Sequence, residues 1–348
     1  MQTAVGSGST EALAARLLSL LHGFRPSCVI AAAVELGVLD RLAAGPLTAE
    51  ELAKRVGAHE SSLLRFLRAL EALDIVAPGA SGFSLTSLGR VLLDSHAGVR
   101  ERALLVGEEY LPAWSRLGEA VRTGEPAFPA AFGMSVWEHR RAHPELDASF
   151  NRAMGDQEAR GRSSVLAAYD FSGCRVVVDV GGGSGALMAE ILRRYPGATG
   201  VVFDQPHVVE QARALLAAEG VLDRCRVAGG SFLDAVPAGG DAYVLRYVLH
   251  DWSDRDCATI LRRCRDAMGA SSVLLVVENT IVEGARPSVP LAMLDLHMMV
   301  MLGGRERTAE EYRSLLRSEG FEIRDSLAGH RPGAEIIVAA RDSAQART

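Results

Sequence analysis

Residues 175–185 read Arg-Val-Val-Val-Asp-Val-Gly-Gly-Gly-Ser-Gly, and no other stretch restricts the fold as much. The β-branched run predicts a buried strand, and the glycines after it open a helix over 186–195. Glycine lets a ligand approach the backbone closely and permits left-handed φ values. The helix start offers unpaired N–H groups and a positive dipole end to an anionic group. Asp204, at the end of the next strand, has the position of an acid that binds ribose hydroxyls. Gly181, Gly183 and Ala186 also fit a dinucleotide loop, so this segment alone leaves the cofactor open.

Strands are predicted over 175–180, 200–203, 225–227, 242–248, 273–277, 321–323 and 335–340. Helices are predicted over 186–195, 206–219, 254–268 and 308–318. The alternation predicts an α/β, Rossmann-like doubly wound sheet, mostly parallel. In such a sheet, ligands bind beyond the carboxyl ends of the strands.

Residues 11–105 read as helices. Leu13, Leu17, Leu18, Leu20 and Leu21 recur at helical spacing, as do Val29, Ala32, Ala33, Leu36 and Leu39. Thr48 with Glu51 three residues later is a capping-box signature. A helix over 61–73 presents Leu63, Leu64, Leu67 and Leu70, and a turn at 78–82 joins two short apolar pairs. This predicts a helix–turn–helix with a small β-wing. Such a unit either binds DNA or packs. The second helix carries only Arg65 and Arg68 as bases, set among leucines, which favours packing. The expected domains are therefore 1–105, winged-helix-like; 106–165, a helical, aromatic-rich connector contributing to a substrate pocket; and 166–348, the catalytic domain.

At 348 residues the chain exceeds one ordinary core. A formal net charge of −6 argues against a nucleic-acid or anionic-membrane partner. The five cysteines are scattered, without a C-x-x-C pair, which predicts reduced thiols and a cytoplasmic setting rather than a disulfide frame or zinc site. No signal peptide is read, and no apolar run is read as reaching the ~20 residues of a membrane span.

Asp179-Val180-Gly181-Gly182-Gly183-Ser184-Gly185 resembles the cofactor loop of S-adenosylmethionine methyltransferases. Residues 246–254, Arg-Tyr-Val-Leu-His-Asp-Trp-Ser-Asp, resemble the histidine motif of the plant caffeate-type and bacterial polyketide-tailoring O-methyltransferases. Gly303-Gly304-Arg305-Glu306-Arg307-Thr308 resembles that family's late glutamate motif, and 150–154 its substrate-facing segment. The matches follow family order from about 11 to 340.

The resemblance implies a seven-stranded Rossmann-like domain, S-adenosylmethionine as cofactor, an aromatic small-molecule acceptor, no metal, and a homodimer formed through the helical N-terminal domain. Apolar helices over 11–42 agree, since they need a partner surface. A phenol, with a pKa of about 10, is a poor nucleophile until a base takes its proton, and His250 is suited to that. The resemblance makes Glu278 and Glu306 its flanking carboxylates. It also implies that Asp179, Gly181, Gly183, Gly185 and Asp204 hold the cofactor, with Ser231 and Phe232 beside the adenine and Arg246 at its edge. Ser231 departs from the family, which usually has an acid there, and Arg246 replaces a common lysine. The resemblance places Phe150, Met154, Asp251, His297, Met298 and Met301 at the acceptor, although the residues alone favour core packing for the methionines.

Three other readings remain. A relative could have drifted to cofactor-assisted hydroxylation or pericyclic chemistry, which retention of His250, Glu278 and Glu306 argues against. A winged-helix transcription regulator would need duplex binding by 1–105. A nicotinamide dehydrogenase would need NAD in the glycine loop.

Overall fold

The computed structural model describes residues 9–93, 98–329 and 333–342, with backbone alone for 156–164. The chain divides into two compact units, Met1–Leu111 and Pro112–Thr348. The division falls six residues beyond the expected boundary at 105, so residues 106–111 belong with the first unit.

In the first unit, helices Val38–Ala43, Ala49–Val56 and Glu60–Ala72 pack around Leu39, Leu42, Leu52, Leu63, Leu67 and Leu70. The capping box is present: Glu51 N donates to Thr48 Oγ1 at 3.2 Å, and Thr48 N donates back to Glu51 Oε2 at 2.9 Å. Strands β1 (Val76–Gly79) and β2 (Gly82–Leu85) form the antiparallel wing. The helix Thr10–Leu21 buries none of its residues. Leu17, Leu20 and Leu21 are 61%, 70% and 68% exposed. Together with the next helix, Thr10–Glu35 makes 26 residues long and apolar enough to cross a membrane by length and composition. This corrects the expectation that no run reaches that length. No continuous apolar run shows in the sequence because Glu11, Arg16, Arg25 and the His22-Gly23 turn interrupt the span.

The second unit carries the sheet: β3 (Val176–Val180), β4 (Thr199–Asp204), β5 (Cys225–Gly229), β6 (Ala242–Arg246), β7 (Val273–Ile281), β8 (Arg307–Thr308), β9 (Phe321–Ala328) and β10 (Ala334–Arg341). The order is β5-β4-β3-β6-β7-β10-β9, with the two-residue β8 beside β7. The first five strands run parallel, and β10 is antiparallel to both neighbours. Val177, Val202, Val244 and Leu275 pack against helices on one face; Val178, Val180, Leu245 and Val276 do so on the other. Burial on both faces is why these strands read as unbroken apolar runs.

Several expected bounds shift, β9 for example running to Ala328 rather than 323, and two of the shifts bear on the site. The fourth strand of the sheet's sequence stops at Arg246, not at 248, because Tyr247 takes a left-handed φ of 53° and turns the chain. Strand β7 runs on to Ile281, which puts Glu278 inside the strand rather than at its end.

Candidate active site

The glycine loop follows β3 directly. Gly181, Gly183 and Gly185 all have positive φ, and Gly185 precedes the helix Ala186–Arg194. A Cβ at Gly181 would lie 2.8 Å from Val248 Cγ2 and 3.7 Å from Phe232 Cε1, so the loop is in direct contact with the turn that follows β6. Asp179, Gly181, Gly182, Leu187 and Arg246 line a small pocket at the strand ends. Asp204 completes the cradle: its Oδ2 accepts from Gly183 N at 2.9 Å and its Oδ1 from Gln205 N at 2.7 Å. Burial raises its carboxyl above the usual range, opposed by those two backbone donors. Ser231, by contrast, is exposed, and its hydroxyl accepts from Leu233 N at 3.2 Å.

His250 lies on a short 3₁₀ turn, Leu249–Asp251, four residues beyond the end of β6. Its Nδ1 is 2.8 Å from Glu306 Oε1. A bond from Nδ1–H to a carboxylate leaves Nε2 as the accepting nitrogen of the neutral ring. Nε2 faces Asp251 Oδ1 at 3.4 Å, and Glu278 Oε2 is 4.0 Å from Nδ1. Three carboxylates thus surround one imidazole. Burial alone would lower the proton affinity of the ring, but the charges of Glu278, Asp251 and Glu306 outweigh it and raise its pKa to about 10. Burial lifts the Glu278 carboxyl to about 7, with His250 opposing.

Glu278 has a second task that the sequence did not disclose. Its Oε1 accepts from Val248 N at 3.1 Å and Leu249 N at 2.8 Å, so it holds the turn's backbone. Glu306 is itself anchored, its N–H donating to Asp295 Oδ1 at 2.9 Å. Gly304 passes so near the turn that a Cβ would sit 2.1 Å from His250 O.

Of the residues expected at the acceptor, Asp251 stands beside the imidazole and Phe150 is half-buried. The Arg140 guanidinium sits 3.6 Å over the centre of the Phe150 ring. His297 Nδ1 accepts from Trp114 Nε1 at 3.1 Å. Met154 is half-buried, whereas Met298 and Met301 are buried in the helix Val289–Met301. Sequence reasoning missed Asp295, Arg140 and Arg307, whereas Trp114 lies in the aromatic-rich connector expected to contribute to a pocket. Only Arg307 carried a signal, as the neighbour of Glu306 in the same motif. Among the described residues, no group of three His, Cys, Asp or Glu side chains could hold a metal ion.

The O-methyltransferase domain family matches residues 114–322, well over half the chain. This chain belongs to the O-methyltransferase family. The O-methyltransferase dimerisation domain matches residues 18–95. This O-methyltransferase is 40% identical over 313 residues to the phenazine O-methyltransferase of Lysobacter antibioticus, covering 89% of this chain and 92% of that one. The solved mitomycin 7-O-methyltransferase is 38% identical, with a TM-score of 0.89 over 96% of this chain and 100% of that chain. A neocarzinostatin-biosynthesis O-methyltransferase, solved with S-adenosylmethionine and 2-hydroxy-5-methyl naphthoic acid, is 34% identical, with a TM-score of 0.81 over 97% of this chain and 100% of that chain.

Proposed function

We propose that this O-methyltransferase transfers methyl from S-adenosylmethionine to a phenolic hydroxyl of an aromatic small molecule, a secondary metabolite or its precursor, with His250 as general base. The observation that carries it is the imidazole fixed between Glu306 and Asp251, in the turn that touches the glycine loop. The phenazine, mitomycin and naphthoate chemistry of the relatives supports the acceptor class.

The chain fits the cofactor. Gly181, Gly183 and Gly185 permit close approach, Asp204 offers acceptor oxygens to ribose hydroxyls, and Asp179, Phe232 and Arg246 flank the same strand ends. Ser231 accepts more weakly than the family's usual acid. When bound, S-adenosylmethionine supplies a methyl group already activated by its positive sulfur. His250 then has one task, which is to take the phenolic proton on Nε2 while Glu306 holds Nδ1 and stabilises the imidazolium. A ring whose pKa is raised to about 10 is largely protonated at neutral pH, so the deprotonated fraction takes the phenolic proton and turnover should rise with pH toward that value. Phe150, Met154, Asp251, His297, Met298 and Met301 are assigned to the acceptor, within a connector and helix that shape its site.

We assign the exposed leucines of Thr10–Leu21 to a homodimer interface, consistent with the dimerisation-domain match, rather than to a membrane. A cytoplasmic location goes with this reading, because Cys28, Cys174, Cys225, Cys257 and Cys264 are unpaired.

The test is His250→Ala. Turnover should fall by at least ~10²-fold, with cofactor affinity by calorimetry unchanged. Wild-type turnover in that variant removes His250 from the mechanism.

A further inference from the structure

Arginine is rarely buried without a specific set of acceptors, and Arg307 is fully buried. Its Nη1 donates to Leu249 O at 2.9 Å and its Nη2 to Trp252 O at 2.9 Å. Nε and Nη2 both reach Asp254 Oδ1, at 3.0 and 2.7 Å. The planar fork therefore grips two carbonyls that bracket His250 and the first acid of the helix Asp254–Ala267. A second bond runs between the same segments: Arg305 N donates to His250 O at 2.9 Å.

Glu306, the partner of the imidazole, is the residue before Arg307. The guanidinium thus places the backbone of His250 in the same frame as the carboxylate that receives Nδ1. A shared frame matters because a displacement of about 1 Å in such a site costs up to ~10²-fold in rate. An apolar side chain of equal volume would fill the space but would leave Leu249 O and Trp252 O without this donor. The clasp also keeps its charge at working pH. Burial alone would raise the Asp254 carboxyl, yet the guanidiniums of Arg307 and Arg305 hold it below its usual range.

We propose that Arg307, backed by Asp254, is a positioning residue for methyl transfer: by gripping the turn of His250 it fixes the Nδ1–Glu306 contact and so sets the proton affinity of the base. The proposal deepens the reading of His250 as base and rests on it.

The test uses the full-length enzyme with Arg307→Lys and Asp254→Asn. Lysine keeps the charge but cannot grip two carbonyls and a carboxylate in one plane. Expected for Arg307→Lys are cofactor affinity within about 2-fold of wild type, kcat lower by ~10- to 10²-fold, and an imidazole pKa lower by about one unit. The last is read by NMR titration of 15N-histidine protein, with His250 assigned by comparison with His250→Asn. Asp254→Asn should shift both quantities the same way by less. If Arg307→Lys fails to fold, Asp254→Asn decides alone. An unchanged imidazole pKa in the folded variants, or wild-type kcat with only Tm lowered, overturns the proposal. The NMR readout does not depend on turnover. A fully active His250→Ala would defeat the general base, while an unshifted resonance would defeat the clasp.

Discussion

Nδ1 of His250 and Oε1 of Glu306 meet at 2.8 Å although the residues are 56 apart in sequence. This contact holds the ring in one tautomer and adds to its proton affinity. Glu306→Gln keeps an oxygen that can accept from Nδ1–H but removes the charge. The alkaline-rising limb of kcat/KM, set by a free-enzyme pKa of about 10, should then move to lower pH, and kcat should fall ~10- to 10²-fold. A pH–rate profile checks both. An unmoved limb would separate Glu306 from the titration of the base.

Glu278 offers a cleaner split between charge and scaffold. Glu278→Gln retains an acceptor for Val248 N and Leu249 N, whereas Glu278→Ala leaves two buried donors unmet. Each unmet donor costs about 1–3 kcal/mol. Denaturant unfolding should therefore show the alanine variant less stable by ~2–5 kcal/mol and the glutamine variant within about 1 kcal/mol of wild type. Equal losses in both variants would contradict the backbone role.

At position 304 the collision is with backbone, which cannot swing aside. Gly304→Ala places a Cβ 2.1 Å from His250 O and 2.5 Å from Asp251 C. We expect turnover to drop by more than ~10-fold with a loss of about 1–3 kcal/mol in stability. Normal kinetics in this variant would mean that the turn moves freely.

The proton work assigned to His250 needs no divalent ion. Prolonged dialysis against EDTA should leave the rate unchanged. A loss that magnesium restores would argue against an imidazole acting alone.

The leucines of the first helix make an oligomer prediction. The wild-type protein should sediment as a dimer, and Leu17→Glu with Leu20→Glu should shift it to monomer, since two charges would have to be buried in an apolar interface. A wild-type monomer, or a dimer untouched by both changes, would place the interface elsewhere.

Much of this was legible because it is local. Residues 176–185 announce strand, loop and helix in one stretch, and the capping box of Thr48 with Glu51 marks the helix that starts at Ala49. The overrun at 247–248 shows the limit: Tyr-Val continues an apolar strand pattern, and nothing in the residues announces the left-handed φ at Tyr247. The helix Val289–Met301 was not named because it is apolar on nearly every side and so has little periodicity to read. The roles of Glu278 and Arg307 depend on partners 29 to 58 residues away, and they become visible only when the sheet brings those segments together. Alternation predicted a mostly parallel sheet, but not the order of its strands, which depends on crossovers between distant segments and on β10 inserting antiparallel between β7 and β9.

The carboxylate of Asp204 is already engaged at both oxygens by Gly183 and Gln205. A carboxylate has about four lone-pair positions, so each oxygen can still take one more donor. An incoming nucleoside therefore meets an acid whose orientation the backbone has settled beforehand. Little ordering entropy remains to be lost at this side chain on binding, and a sugar lacking one of its two hydroxyls would forfeit a bond without relaxing the loop.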